Sequence, residues 1–167
     1  EAMIAAMLAV VDPGDEVIVC EPAYVTYEAT ITITGAKMVV IPCPASNGFQ
    51  PDMAAMASAI TPRTRAIMYA TPVNPTGILF TKQVTEGIAA LAKKHDLWVI
   101  ADEVYCELIF EGEHPSIAAL PGMFERTITT GSVSKSHAMT GWRIGWAVGS
   151  TPFIDHMRAL NLCMTYG

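Results

Sequence analysis

Short apolar runs alternate with longer, mostly amphipathic segments along the whole chain. The short runs are typical of buried strands, and the longer segments are typical of helices that cover a sheet. The predicted strands are 16–20, 37–41, 66–69, 97–101, 127–130 and 144–148. The predicted helices are 1–11, 24–34, 53–60, 82–95 and 152–164. This alternation predicts an α/β domain with a mainly parallel sheet and helices on both faces.

Residues with special backbone or capping properties mark several boundaries of these elements. Pro13 and Gly14 follow the first predicted helix, and Gly35 stands where a left-handed cap would end the second. Asp52 and Thr81 precede the third and fourth helices as N-caps. The segment 71–77 contains two prolines and a glycine, so we predict a rigid loop there.

Polar residues follow three of the predicted strands at the points where those strands end. Asn74 follows the third strand and Asp102 ends the fourth, while Ser132 and Lys135 follow the fifth. Ligands of open α/β sheets bind at the carboxyl ends of the strands. A carboxylate at the end of an apolar strand also costs desolvation energy unless a cation meets it. The sequence therefore predicts a ligand site at this edge of the sheet.

The composition indicates one domain whose surface is partly covered by another domain or subunit. The chain has 167 residues, of which 51% are hydrophobic and only 16% charged. Soluble domains contain about 25% charged residues, so we expect another domain or subunit to cover part of this surface. No apolar run approaches the roughly 18 residues of a membrane span, and the amino terminus lacks the basic start of a signal peptide.

Charge and potential metal ligands exclude several other classes of partner. The net charge is −6 and lysines and arginines do not cluster, so nucleic acid is not an expected partner. The four cysteines lie far apart without a Cys-x-x-Cys pair, which favours free thiols in a reducing cytoplasm. The four histidines show no metal-binding spacing, so no metal site is predicted.

The segment 131–145 carries the densest chemistry of the sequence. It places Lys135 among glycines and serines, which let a backbone approach a ligand closely. The amine of Lys135 can act as a nucleophile or form a Schiff base with a carbonyl. Ser132 and Arg143 offer a hydroxyl and a forked cation, a combination that suits a phosphate.

The pattern Ser132-x-x-Lys135-x₇-Arg143, with Gly141 before Trp-Arg, resembles the lysine signature of class I/II aminotransferases. These are fold-type-I enzymes that use pyridoxal 5′-phosphate (PLP). Two further segments resemble motifs of the same family, namely Asn-Pro-Thr-Gly at 74–77 and Asp-Glu-Val-Tyr at 102–105. The resemblance extends over essentially the whole chain.

For the chemistry, the resemblance implies catalytic roles for Lys135, Asp102 and Tyr105. Lys135 would form the Schiff base with PLP and move a proton during transamination. Asp102 would face the pyridinium nitrogen and keep it protonated, which makes the ring an electron sink. Asn74 and Tyr105 would donate hydrogen bonds to the phenolic oxygen.

For cofactor binding, the resemblance adds a ring-stacking aromatic and a phosphate site. Tyr24 corresponds to the stacking aromatic, with Tyr27 as a competing candidate one turn later. Ser132 and Arg143 correspond to phosphate ligands, whereas Ser134 would only be a small neighbour. Trp142 is expected to pack under the lysine segment.

The resemblance also implies an architecture that extends beyond this chain. The family's large domain has a seven-stranded sheet with one antiparallel strand, and only six strands are predicted here. We expect the seventh to precede residue 1 and the strand after the lysine segment to be antiparallel. Residues 1–167 would then be a PLP-binding large domain that is incomplete at both ends and lacks the small domain. Such a chain would be inactive alone and would belong to a homodimer.

The implied reaction transfers an amino group between an amino acid and a 2-oxo acid. The substrates could be of the aspartate type or of the arginine–pyruvate type, which segments 134–143 and 162–167 resemble. Glu21 and Glu107 are the acidic residues nearest the site by sequence that could pair with an arginine substrate. Two alternatives stay open, a PLP-dependent lyase or synthase such as a carbon–sulfur lyase, and the aminotransferase-like effector domain of a transcription regulator.

Overall fold

All six predicted strands form one sheet in the computed structural model, which describes residues 1–165. The strands are β1 (Glu16–Glu21), β2 (Lys37–Pro42), β3 (Thr64–Ala70), β4 (Trp98–Asp102), β5 (Thr127–Ser132) and β6 (Gly145–Val148). The α-helices are α1 (Ala2–Val10), α2 (Thr26–Thr32), α3 (Met53–Ala59), α4 (Lys82–His95), α5 (Val133–Ser136) and α6 (Thr151–Thr165). Short 3₁₀ turns occupy Ala45–Asn47, Ile117–Ala119, Phe124–Arg126 and Thr140–Trp142.

The strand order in the sheet is β2-β1-β3-β4-β5-β6. Strands β1 to β5 run parallel to one another, and β6 pairs with β5 in the antiparallel direction. The expected mainly parallel sheet with one antiparallel strand after the lysine segment is therefore confirmed. From β1, the next strand in the chain, β2, is added on one side, and all later strands are added on the other side. The sheet therefore has a topological switch point between β1 and β3, of the kind at which α/β proteins bind ligands.

Alternate residues of the central strands fill two separate cores, one on each face of the sheet. One core joins Ile18, Ile67 and Val99 to residues of α3 and α4, including Met56 and Ile88. The opposite core contains the intervening strand residues together with residues of α1, α2 and α6; its members include Val17, Met68, Ile100, Met7, Ile31 and Phe153. Helices thus cover both faces, as predicted.

The predicted N-caps form, and the second helix is shorter than predicted. The carboxylate of Asp52 accepts hydrogen bonds from the first turn of α3, and the hydroxyl of Thr81 accepts one from the first turn of α4. Gly35 has the positive φ expected of it, +80°, but α2 already ends at Thr32. The hydroxyl of Thr34 donates to the carbonyl oxygen of Ile31 at 2.7 Å, so a side chain satisfies the end of this helix.

The lysine segment is more ordered than the predicted loop. Ser132 caps the single-turn helix α5, because its hydroxyl accepts a hydrogen bond from the N–H of Ser134. The prediction that Trp142 packs under this segment is wrong, since its side chain is 67% exposed. Trp142 lies in the 3₁₀ turn that precedes Arg143, whose φ is +53°.

Two features are absent from residues 1–165, the part of the chain that the structure describes. No helix in this range is long and apolar enough to cross a membrane. The described residues also contain no group of three or more histidine, cysteine or acidic side chains that could hold a metal ion. The four cysteines are free; Cys20 and Cys43 are buried, Cys106 is partly buried and Cys163 is exposed.

Candidate active site at the strand ends

A cleft of about 990 Å³ lies at the carboxyl ends of the parallel strands, between them and helices α1 and α6. Every residue predicted to carry the chemistry lines it: Tyr24, Asn74, Asp102, Tyr105, Ser132, Lys135 and Arg143. They come from the loops after β1 and β3, the end of β4 and the turn that follows it, and the segment between β5 and β6. Parallel strands end at one edge, so residues far apart in sequence meet there.

Asp102 ends β4 and points its carboxylate into a network of hydrogen-bond donors. The hydroxyl of Tyr27 donates to Oδ2 at 2.7 Å, and the N–H of Val104 donates to Oδ1 at 3.3 Å. The hydroxyl of Thr130, on the neighbouring strand, donates to Oδ1 at 3.5 Å. Burial raises the pKa of Asp102 above its ordinary value, although these three hydrogen bonds oppose the shift.

Two tyrosines stand side by side at the cleft, and their surroundings separate their roles. Tyr27 is 3% exposed, and burial together with the charge of Asp102 holds its pKa well above the ordinary value. Tyr24 is 43% exposed, and its ring meets that of Tyr27 edge-on at a centroid distance of 5.8 Å. Tyr24 therefore offers an accessible ring face to a ligand, whereas Tyr27 uses its hydroxyl on Asp102.

Asn74, Tyr105 and Lys135 form a second group in the cleft. The amide nitrogen Nδ2 of Asn74 lies 3.4 Å from the hydroxyl oxygen of Tyr105. The amine nitrogen of Lys135 lies 5.9 Å from the centroid of the Tyr105 ring, within cation–π range. An amide, a phenol and an amine thus face one region, an arrangement that can bind a polar ring substituent beside a nucleophilic amine.

Ser132 and Arg143 lie near the two ends of the lysine segment, residues 131–145. The Ser132 hydroxyl donates to the carbonyl oxygen of Ile144 at 2.9 Å, which joins the two ends of the segment. Nη1 of Arg143 donates to the carbonyl oxygen of Thr140 at 3.0 Å, and the side chain is exposed. Within the described residues Arg143 forms no ion pair, so most of its donors remain available to an anion.

The sequence did not reveal the hydrogen-bond donors that surround Asp102. Thr130 could have been found, because it stands opposite Asp102 in the register of β4 and β5. The contact with Tyr27 spans 75 positions and leaves no local signal. Glu21 and Glu107 are not among the residues that line the cleft, whereas Glu1 is.

Comparisons with known proteins agree with this geometry. The family model for "Aminotransferase class I and II" matches residues 1–166. The arginine–pyruvate transaminase of Pseudomonas aeruginosa is 51% identical over 166 residues, which are 99% of this chain and 42% of that protein. The aspartate/prephenate aminotransferase of Thermus thermophilus is 40% identical over 163 residues, covering 96% of this chain and 41% of that protein.

A solved structure resembles the fold closely. The aspartate aminotransferase from Thermus thermophilus with maleate superposes with a TM-score of 0.95 at 40% identity. The alignment covers 98% of this chain and 42% of that one. The chain therefore spans less than half the length of these relatives.

Proposed function

This chain belongs to the class I and II aminotransferase family, and from that premise we propose that its full-length protein is a PLP-dependent aminotransferase. The observation that carries the proposal is the single cleft into which seven predicted side chains converge from separate segments. The reaction would move an amino group between an amino acid and a 2-oxo acid.

The charges of the cleft fit PLP at both of its ends. The carboxylate of Asp102 is partly buried, its pKa is raised, and no cation pairs with it within residues 1–165. A protonated pyridine nitrogen would supply that missing positive charge. Arg143 carries a positive charge and forms no ion pair in the described part of the chain, so a phosphate would supply the negative partner.

When bound, PLP withdraws electrons from the α-carbon of the amino acid. Lys135 would hold the aldehyde through its amine and would later carry the proton that leaves the α-carbon. Asn74 and Tyr105 would donate hydrogen bonds to the phenolic oxygen, and Tyr24 would cover one face of the ring. Ser132 and Arg143 would bind the phosphate, in agreement with their positions around the lysine segment.

The substrates of the relatives provide two candidates for the amino donor. Relatives act on arginine with pyruvate or on aspartate and prephenate, according to their names. Asp102 and Glu1 are the acidic residues among those that line the cleft. We propose arginine with pyruvate and aspartate with 2-oxoglutarate as the first two pairs to test.

The surroundings of the domain follow from the same proposal. We propose that residues 1–167 are most of the PLP-binding large domain and that a small domain lies outside this chain. A homodimer is proposed as well, supported by exposed apolar side chains on and beside the edge strand β6; these are Trp142, Ile144, Trp146 and Val148. The four unpaired thiols support a cytoplasmic location.

The test uses the full-length protein that contains this chain. Addition of PLP should produce the absorption band of a lysine-bound cofactor, and borohydride reduction with peptide mapping should place the label on Lys135. Label on Lys82, Lys93 or Lys94 would contradict the assignment. A panel of amino donors with pyruvate and 2-oxoglutarate then identifies the substrates, and transamination of none of them would contradict the proposed reaction.

A further inference from the structure

A buried carboxylate lies directly behind the candidate active site. Glu103 follows Asp102 and is 8% exposed. The hydroxyl of Ser116 donates to its Oε1 at 2.8 Å. Nε2 of His114 lies 3.1 Å from its Oε2, which is ion-pair distance without the alignment of a hydrogen bond. Glu103 is not among the residues that line the cleft.

The partners of Glu103 stand at the far end of a surface loop. Residues 104–113, the 104–113 loop, leave the sheet after Glu103, and residues 107–113 are almost entirely exposed. Phe110, near the middle of the loop, is 96% exposed, so the loop lacks a hydrophobic anchor of its own there. The chain returns to the core at Ile117, which is fully buried and follows Ser116 directly.

The surroundings of Glu103 make the contacts with Ser116 and His114 hard to replace. Neither lysine nor arginine pairs with Glu103 in the described part of the chain. The nearby hydroxyl of Tyr69 is buried and forms no hydrogen bond with any described residue. Burial raises the pKa of Tyr69, and the charge of Glu103 raises it further. A buried carboxylate that loses a donor keeps its full desolvation cost. The contacts of Glu103 with Ser116 and His114 therefore hold the two ends of the loop together.

Tyr105 carries the polar group that this loop brings to the cleft, whose lining also includes the neighbouring Val104. It stands two positions after Glu103, and its hydroxyl has one long contact with Asn74, at 3.4 Å. A contact of that length fixes a tyrosine weakly. The position of the Tyr105 hydroxyl therefore depends on how firmly the beginning of the 104–113 loop is held.

We propose that Glu103, Ser116 and His114 form a latch that positions Tyr105 toward the cofactor, an inference that rests on the proposed function. The Glu103 latch acts through Tyr105 and touches neither cofactor nor substrate. Glu103 is accordingly a positioning residue. Its loss should loosen the loop and weaken the hydrogen bond from Tyr105 to the phenolic oxygen of PLP.

A matched pair of substitutions separates positioning from general stability. Ser116→Ala removes a hydroxyl donor from the buried carboxylate of Glu103. Thr61→Val removes a hydroxyl donor from the buried carboxylate of Glu16, at the opposite end of the sheet, where Thr61 donates at 2.6 Å. In the full-length protein, Ser116→Ala should raise the Kd for PLP by up to about tenfold. This is the loss expected when Tyr105 no longer donates a hydrogen bond to the charged phenolic oxygen. Thr61→Val should leave that Kd unchanged.

The link to Tyr105 is tested by combining substitutions. Tyr105→Phe should shift the pH midpoint of the absorption change of bound PLP, and Ser116→Ala should shift it in the same direction by a smaller amount. In the double variant the two effects should be less than additive, because they act on one hydroxyl. Ser116→Thr, which keeps the hydroxyl, should restore the unaltered behaviour. Full additivity, or an equal loss of PLP affinity in Thr61→Val, would overturn the latch.

Hydrogen exchange distinguishes failure of the latch from failure of the proposed function. Without PLP, Ser116→Ala or, if that variant does not fold, His114→Gln should accelerate exchange in residues 104–113 but not in α3 or α4. Unchanged exchange there would overturn the latch whether or not the protein uses PLP. Absence of PLP binding by the unaltered protein, with accelerated exchange in the variant, would instead overturn the proposed function and with it the role of the latch in cofactor binding.

Discussion

The two ends of the sheet each hold a carboxylate, and the protein treats the two in opposite ways. At the amino ends of the strands, Glu16 is 3% exposed and accepts hydrogen bonds from Thr61 at 2.6 Å and from Arg63 at 2.7 and 3.1 Å. These hydrogen bonds, that of Thr61 first, lower its pKa. At the carboxyl ends, Asp102 has hydroxyl and amide donors but no cation in the described part of the chain, and burial raises its pKa.

The two carboxylates differ in whether the fold itself supplies a counterion. The charge of Glu16 is compensated within the fold, so nothing further is needed there. Asp102 retains a charge that the fold leaves without a counterion, a condition that proteins maintain mainly where a ligand completes the site. The carboxyl ends of the strands therefore hold a carboxylate whose charge a cationic ligand group would compensate.

The two shifts predict opposite dependences of stability on pH. The lowered pKa of Glu16 contributes stability that is present above its ordinary value of 4.5 and is lost as the pH falls through the lower folded value. The raised pKa of Asp102 contributes stability that is present below its ordinary value of 3.8 and is lost as the pH rises through the higher folded value. At neutral pH, Glu16 stabilises the fold and Asp102 destabilises it.

The largest expected effect is that of Lys135→Ala on turnover in the full-length protein. Loss of its proton transfer alone should lower kcat about 10²–10⁴-fold, and loss of the cofactor attachment should lower it further. Because Lys135 is exposed, the melting temperature of the cofactor-free protein should stay unchanged. Lys82→Ala, at an exposed site with only an i,i+4 pair to Glu86, is the control and should retain full activity. Equal turnover in both variants would remove Lys135 from the mechanism.

Asp102→Asn should separate activity from stability most sharply. Turnover should fall about 10²-fold or more, because an amide neither pairs with a protonated pyridine nitrogen nor keeps it protonated. The apo protein should be at least as stable as the unaltered one at pH 7, and this advantage should shrink as the pH falls toward 4. Steady-state kinetics and urea unfolding at several pH values measure both. A folded variant with near-normal turnover would show that Asp102 serves the fold alone.

Tyr27→Phe should have an intermediate effect. It removes the 2.7 Å hydrogen bond to Asp102 without changing the packing of the ring, so the pKa of Asp102 should rise further. One hydrogen bond to a charged group is worth about 1.5 kcal/mol or more, so kcat/KM should fall about tenfold. Tyr24→Phe keeps the ring that faces the cleft and serves as control. A loss of activity in Tyr24→Phe equal to that in Tyr27→Phe would break the assigned division of roles.

The smallest effect on activity is expected at the opposite end of the sheet. Thr61→Val should lower the free energy of unfolding by about 1–2 kcal/mol through loss of a hydrogen bond to Glu16, with kcat unchanged. The deficit should shrink as the pH falls, because protonation of Glu16 removes the charge to which Thr61 donates. Chemical unfolding at pH 7 and pH 3 checks this result. A changed kcat would contradict the view that the two ends act independently.

Local pattern accounts for most of the architecture that the sequence predicted. The strand cores were predicted because apolar runs such as 97–101 must be buried on both faces, and the caps at Asp52 and Thr81 because their side chains satisfy helix N–H groups a few residues away. The expected roles of Lys135, Asp102 and Asn74 rest on spacing together with a resemblance to a known family. The structure adds that these residues share one cleft; their roles stay predictions.

Other features depended on contacts between distant segments and could be decided only by the tertiary structure. Trp142 was expected to pack under the lysine segment, but it is 67% exposed. The hydrogen bonds from Tyr27 to Asp102 and from Ser116 to Glu103 join residues that the fold brings together. No periodic pattern in the sequence predicts them. Which segments are buried could be predicted from the sequence alone, because burial follows local hydrophobicity. Which buried carboxylate pairs with a cation is visible only in the fold, because pairing depends on what distant segments bring to the same place.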